Sequence, residues 1–351
     1  MSKSSRGRFF EDFRFGETIA HATPRTLSEA DGALYIALTG SRFPLHCAEP
    51  FARALGLPRA PLDDVLIFHV VFGKSVPDIS LNAIANLGYA EMIFGAPVYP
   101  GDTLRVRSEV IGLKEASNRK TGIVYVRTWA TNQRGETVLS FARWVLVPKR
   151  DESASAPAPI VPALSEAAGP NDLRPIGGLD MFRYDTAATG SPDLWDDFAP
   201  GERVDHVDGV TIEEAEHMMA TRLYQNTARV HFNQHVEKDG RFGRRLVYGG
   251  HVISLARALS FNGLANAFRI AAVNGGRHAN PCFAGDTVYA WSEVLAKAEL
   301  GPEPRMGALR LRTIATKDRA CTDFPRLGPD QNLDPAVLLE LDYWVLMPRR
   351  A

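Results

Sequence analysis

The chain of 351 residues carries 40 basic and 41 acidic side chains and a formal net charge of −1. That length suits two domains of ordinary size rather than one core, and dispersed, balanced charge argues against a nucleic-acid partner, which needs a basic face. Three cysteines, Cys47, Cys282 and Cys321, form no disulfide framework and lack metal-ligand spacing. A polar, basic start and the lack of an apolar run long enough to span a bilayer predict no signal peptide, no membrane partner and a reducing, cytoplasmic setting.

Along the chain, Phe10-Glu11-Asp12-Phe13 with Gly16-Glu17 comes first. Residues 27–38 then read as a helix with Ser28 as its cap. Residues 65–73 are apolar all round, as a fully buried helix should be. Residues 81–89 begin a strand, and 104–111, 123–130 and 138–147 continue as strands, two of them clearly alternating. Asn132 to Gly135 supplies a hairpin turn between the last two. Residues 151–190, rich in Ala, Ser and Pro, predict a linker that lies across a surface instead of packing.

The opening pattern then returns. Trp195-Asp196-Asp197-Phe198 with Gly201-Glu202 repeats the first motif 185 positions on, and the same shift carries His46 onto His231. Pro97 and Gly101-Asp102-Thr103 return as Pro281 and Gly285-Asp286-Thr287, and Trp144 to Pro148 return as Trp344 to Pro348. Residues 211–224 predict a helix, 250–264 the second buried helix, and 287–295, 308–317 and 338–347 strands. Residues 318–334, rich in Pro, Asp and Gly, predict a loop inserted into a hairpin. The chain therefore divides into repeats at 1–150 and 191–351. A buried helix followed by antiparallel hairpins, twice over, predicts an α+β double hotdog, each sheet wrapped around one helix.

Residues 35–46, Tyr-Ile-Ala-Leu-Thr-Gly-Ser-Arg-Phe-Pro-Leu-His, resemble the hydratase motif Gly-Asp-x-Asn-Pro-Leu/Ile-His of the MaoC family of (R)-specific enoyl-CoA hydratases. The doubled Pro…Gly-Asp-Thr also belongs to that family. The resemblance implies hydro-lyase chemistry on an acyl-CoA thioester, without metal or redox cofactor. In the family, the motif Asp and His activate water while an N–H at the buried helix's start holds the thioester oxygen. Hydration needs a base for the water, an acid for the α-carbon and a fixed dipole for the enolate. Residues 8–13, 80–90, 220–233 and 248–251 point to a narrower branch of the family, whose methyl-branched enoyl-CoA carries a free carboxylate.

Carried across residue by residue, His46 and His231 match the motif His, but Ser41 and Asn226 stand where its Asp belongs. At the helix start, Gly249-Gly250 in repeat two stands against Asp64-Val65 in repeat one. Glycines leave N–H groups open at the positive end of a helix dipole, whereas Asp64 would cap them and repel an enolate. The expected catalytic set is therefore His231, Asn226 and Gly250, with repeat one as the substrate-binding half and His46 a relic. Expected binding residues are Pro61, Leu62, Asp63 and Asp64 at the first helix start, where the acids are either caps or ligands to acyl or pantetheine amides. Ile84, Ala85, Asn86 and Leu87 resemble the wall of a pantetheine tunnel, with Gly95, Ala96 and Pro97 a weaker site of the same kind. Gly249 adjoins the oxyanion position. Arg229 is the expected partner of a substrate carboxylate, and Arg244 and Arg245 alternatives for CoA phosphates. A hotdog thioesterase and a non-catalytic acyl-CoA binding protein stay open as alternatives, and a homodimer is expected.

Overall fold

The structure, a computed structural model, describes residues 3–300 and 305–350. Its ten strands are β1 (Thr18–Thr26), β2 (Ala85–Phe94), β3 (Thr103–Glu115), β4 (Thr121–Thr131), β5 (Thr137–Pro148), β6 (Arg203–Thr211), β7 (Arg269–His278), β8 (Thr287–Glu299), β9 (Met306–Lys317) and β10 (Val337–Pro348). They form one sheet in the order β1-β3-β4-β5-β2-β7-β10-β9-β8-β6. Read from either edge, the order is the same for the two repeats, so a pseudo-two-fold passes between β2 and β7. That central seam is narrow: Met92 pairs with Val273 and Ile93 with Ala272. The expected double hotdog is what this sheet builds.

Four longer helices accompany it: α1 (Glu29–Thr39), α2 (Asp64–Ser75), α3 (Glu214–Leu223) and α4 (Gly249–Leu259). Ser28 caps α1 and accepts from the Asp31 N–H, as expected. Every residue of α2 is buried, because a helix ringed by sheet on one side and by its twin on the other has no solvent face. The twin is α4, and their equivalent positions meet directly: His69 Nε2 lies 2.9 Å from Ser254 Oγ. The largest core draws on both repeats, joining Leu66, Val70 and Val71 of α2 with Val252 and Leu255 of α4. The repeats therefore share one interior.

Duplication extends to buried polar groups. His21 Nε2 meets Ser108 Oγ at 2.8 Å, and Ser108 meets Thr128 at 2.8 Å. In repeat two His206, Ser292 and Thr313 make the same ladder at 2.8 and 2.7 Å. Each ladder satisfies polar atoms that would otherwise be costly inside the sheet.

Several expectations need correction. The sequence pattern does not predict strands β1, β6 and β7: β1 and β6 are largely exposed and interrupted by bulges, so they lack clean alternation, and the buried run of β7 has none either. The stretch 211–224 divides into the end of β6 and helix α3. The predicted helix 250–264 breaks after Leu259, with non-helical Asn262 and Gly263 inside its last turn. The linker does not merely lie on the surface. Leu173, Ile176 and Met181 are buried with Phe51, Phe268 and Trp344 in a core cluster of their own, since apolar side chains in a Pro-rich strap still gain by leaving water.

Candidate active site

The start of α4 is the focus. Tyr248 occupies the cap position, and no side chain caps the first turn. At the equivalent place in repeat one, Asp63 accepts the Val65 N–H at 2.8 Å. Val65 corresponds to Gly250, so one repeat covers this amide and the other leaves it open to an anion. The glycines are sterically required. A Cβ at Gly250 would stand 2.4 Å from Tyr248 Cε1 and 2.6 Å from His69 Cε1, and one at Gly249 2.6 Å from His278 Nδ1.

His231 ends a 3-10 turn, Arg229–His231, and its Nδ1 lies 3.0 Å from the Leu246 carbonyl oxygen. A carbonyl only accepts, so Nδ1 carries the hydrogen and Nε2 keeps a free lone pair. Burial depresses the imidazole pKa to about 4, with nearby His217 adding to the effect. It is a neutral base at pH 7. Around it stand four more of the chain's nine histidines. His278 lies against Gly249 and 3.3 Å from the Tyr89 hydroxyl; His251 follows the glycines; His217 is on α3; His69 reaches over from α2. Burial lowers all four pKa values, to about 4 for His251 and His278.

Aromatic rings knit this group together. Tyr248 lies 5.4 Å from His231 and 5.4 Å from His69, and Tyr224 lies 4.5 Å from His69. Several polar atoms here are buried without a protein partner: His69 Nδ1, His217 Nδ1, His251 Nδ1, and the hydroxyls of Tyr224 and Tyr248. Such groups are rare in folded interiors, and their concentration beside an open helix start makes this the candidate ligand site. Among the described residues no group of three or more His, Cys, Asp or Glu is placed to hold a metal ion.

Asn226 is buried, but its carbonyl oxygen accepts the Ala228 N–H at 3.0 Å. It shapes the turn that delivers His231, and one of that oxygen's two lone pairs is used in doing so. Arg229 is exposed, because the turn that sends His231 inward sends the residue two before it outward. Arg244 is exposed too and stacks on Phe283 at 3.9 Å, while Arg245 pairs with Glu214.

In repeat one the matching site is filled. His46 Nδ1 lies 3.1 Å from the Pro61 carbonyl, copying His231 and Leu246. Its Nε2, however, lies 3.9 Å from Asp64 Oδ2. Asp64 also accepts the Ile270 N–H at 3.2 Å and stands 3.5 Å from Arg269 Nε. Burial raises its carboxyl pKa, while Arg269 and His46 oppose that. The cap is thus Asp63, not Asp64, and Asp64 is tied to protein rather than open to a ligand.

The expected binding residues separate into two places. Leu62 donates its N–H to Val98, Gly95 and Ala96 donate to Val138 and Thr137, and Gly95 accepts from Arg269 Nη2 at 2.6 Å. Pro61 to Asp64 and Gly95 to Pro97 therefore surround the filled end. Tyr89, which reaches His278, is six residues from Gly95, about 20 Å along a strand. Ile84 precedes β2 and Ala85 to Leu87 begin it, on the Tyr89 side: Ile84 and Leu87 are exposed, and both polar side-chain atoms of Asn86 are buried without partners. Sequence reasoning missed His69, His278, Tyr89 and Tyr248. A histidine inside an otherwise apolar helix and a tyrosine directly before Gly-Gly were the available signals.

A family model for mesaconyl-CoA hydratase matches residues 2–322. The chain is 62% identical over 349 residues to the β-methylmalyl-CoA dehydratase of Chloroflexus aurantiacus, covering 99% of each. It is 60% identical over 347 residues to the mesaconyl-CoA hydratase of Cereibacter sphaeroides, covering 99% of this chain and all of that one. A solved MaoC domain protein dehydratase from C. aurantiacus superposes with a TM-score of 0.98 at 62% identity over the whole of both chains. A double-hotdog protein of Mycobacterium tuberculosis shares the fold at a TM-score of 0.76 and 24% identity, over 97% of this chain and 98% of that one. With an open helix start, a tautomer-fixed histidine and these relatives, the chain belongs to the mesaconyl-CoA hydratase family of MaoC-like hydro-lyases.

Proposed function

We propose that the protein reversibly hydrates mesaconyl-C1-CoA (2-methylfumaryl-CoA) to β-methylmalyl-CoA, as the names of its relatives suggest, within acetate assimilation through the ethylmalonyl-CoA route. The observation that carries the reading is the asymmetry of the helix starts, with Gly250 uncapped beside His231 and Val65 capped by Asp63.

The chemistry follows from that placement. Water attacks the β-carbon while His231 Nε2 takes its proton, and the double-bond electrons move to the thioester oxygen as an enolate. The Gly250 N–H and the α4 dipole receive that charge. The imidazolium then returns a proton to the α-carbon on the same face, so one water is consumed and no other group changes its protonation state. A base with a depressed pKa is a good proton donor once charged. Exposed Ile84 and Leu87 suit the pantetheine arm at the start of β2, with Asn86 offering its unpartnered amide.

A thioesterase would aim a carboxylate at the thioester, but Asp64 is engaged with Arg269 and Ile270. The test incubates enzyme with mesaconyl-C1-CoA and follows enoyl-thioester absorbance and free thiol together. Loss of absorbance without thiol supports the hydratase. Thiol release means a thioesterase, and no change with retained binding means a non-catalytic acyl-CoA binder.

A further inference from the structure

Three arginines are buried among the described residues: Arg143, Arg257 and Arg269. Arg269 is paired with Asp64. Arg257 stacks on Phe43 at 3.6 Å and feels the charges of Asp63 and Asp64. Arg143, on β5, is different. It is fully buried, yet among the described residues no carboxylate pairs with it. Its nearest partners are hydroxyls, Ser75 Oγ at 2.8 Å and Ser80 Oγ at 3.4 Å, and its Nε has no partner.

A guanidinium stays charged at neutral pH, and burying that charge without an anion is unfavourable. Position explains why it is kept. The guanidinium lies 4.2 Å over the Phe72 ring, Phe72 is 5.8 Å from Tyr248, and Tyr248 is 5.4 Å from His231. Two rings thus connect the cation to the base. Tyr89 and Tyr248 stand near Arg143 as neutral phenols, since burial raises both pKa values, and the Tyr248 hydroxyl lacks a partner. In repeat two the equivalent position is Tyr343, with its hydroxyl 2.9 Å from Thr313. The unpaired cation therefore belongs to repeat one alone and faces the chemistry of repeat two.

We propose that Arg143 is the specificity-determining residue of the site, binding the free carboxylate of a short dicarboxylic acyl-CoA with the Tyr248 hydroxyl beside it. This rests on the hydratase reading for the place of the thioester. It explains how a half without a catalytic apparatus contributes: it supplies the counter-charge that selects a monothioester of a dicarboxylic acid over a simple acyl-CoA. It also replaces exposed Arg229 in that role.

The experiment uses unreactive analogues, so it does not depend on turnover. Succinyl-CoA and butyryl-CoA are titrated calorimetrically into wild type, Arg143→Met and Arg143→Lys, and melting temperatures are recorded. Wild type should prefer succinyl-CoA, and Arg143→Met should lose that preference by roughly 30-fold or more, the usual scale for truncating a buried charged contact. Arg143→Met should melt no lower than wild type, because it removes an uncompensated buried charge. Arg143→Lys should keep part of the preference. An unchanged ratio in a folded Arg143→Met overturns the proposal and leaves the hydratase reading intact. A lowered melting point with the ratio unchanged assigns Arg143 a structural role instead, as does a wild type without preference. A wild type that prefers succinyl-CoA but does not hydrate mesaconyl-C1-CoA overturns the hydratase reading alone.

Discussion

Replacing Gly250 by alanine is the sharpest perturbation of the oxyanion position. The new methyl would stand 2.4 Å from Tyr248 Cε1 and 2.6 Å from His69 Cε1. An ordinary carbon contact begins near 3.4 Å, so each ring must retreat by about 1 Å. Neither ring has free space, since both are buried and packed against Tyr224. Overpacking of this kind costs about 1–3 kcal/mol, partly offset by the helix preference of alanine over glycine, at most about 1 kcal/mol. A net loss of about 1–2 kcal/mol lowers the melting temperature of a chain this large by only a few degrees. Activity should suffer far more. A displacement of about 1 Å at the reacting centre, together with a shifted N–H donor, predicts a fall in kcat of about 10²–10³. The assay is steady-state hydration monitored by absorbance, beside a thermal melt. Gly275→Ala is the control, because its Cβ would meet only the Tyr89 carbonyl oxygen at 3.8 Å and should change neither readout. A Gly250→Ala enzyme with kcat within threefold of wild type would refute the placement of the oxyanion at α4.

His231→Ala should lower kcat/KM by about 10²–10⁴, the range for a general base, while His46→Ala should keep activity within about fivefold; equal losses would undo the division between repeats. The folded-state pKa of about 4 for His251 and His206, below the ordinary 6.5, means that stability is complete above pH 6.5 and falls as pH drops from 6.5 to 4. Each fully buried histidine contributes a slope of up to about 1.4 kcal/mol per pH unit there, and urea melts that stay flat across this window would contradict it. The acid limb of kcat/KM should track His231 near pH 4, so an inflection above pH 6 assigns the base elsewhere. Arg269→Met should destabilise by about 3–5 kcal/mol by stranding Asp64. Asp64→Asn in the same chain should recover most of that loss, and a double variant no more stable than Arg269→Met rules out the pair.

What the sequence determined by itself was the duplication, both buried helices, most strands and the inequality of the helix starts. These are local quantities: hydrophobic period, turn residues, and glycine against aspartate at matching positions. The contrast of Gly249-Gly250 with Asp64-Val65 is legible in the residue types, but which positions decide the capping, Asp63 against Tyr248, is settled only by the structure. Tertiary structure decided everything that depends on which parts of the two repeats meet. His69 reads as one more residue of an apolar helix until α2 is laid against α4, and nothing in the strand pattern of 138–147 marks Arg143 as buried. The linker's buried Leu173, Ile176 and Met181 are invisible in a composition dominated by Ala, Ser and Pro. Asp64 stands at a helix start in sequence and so suits a cap, yet its partners, Arg269 and Ile270, come from the other repeat. Helix starts and strands are written in neighbouring residues; a site shared across a pseudo-two-fold joins positions about 185 residues apart, and only the packing of α2 against α4 and of β2 against β7 brings them together.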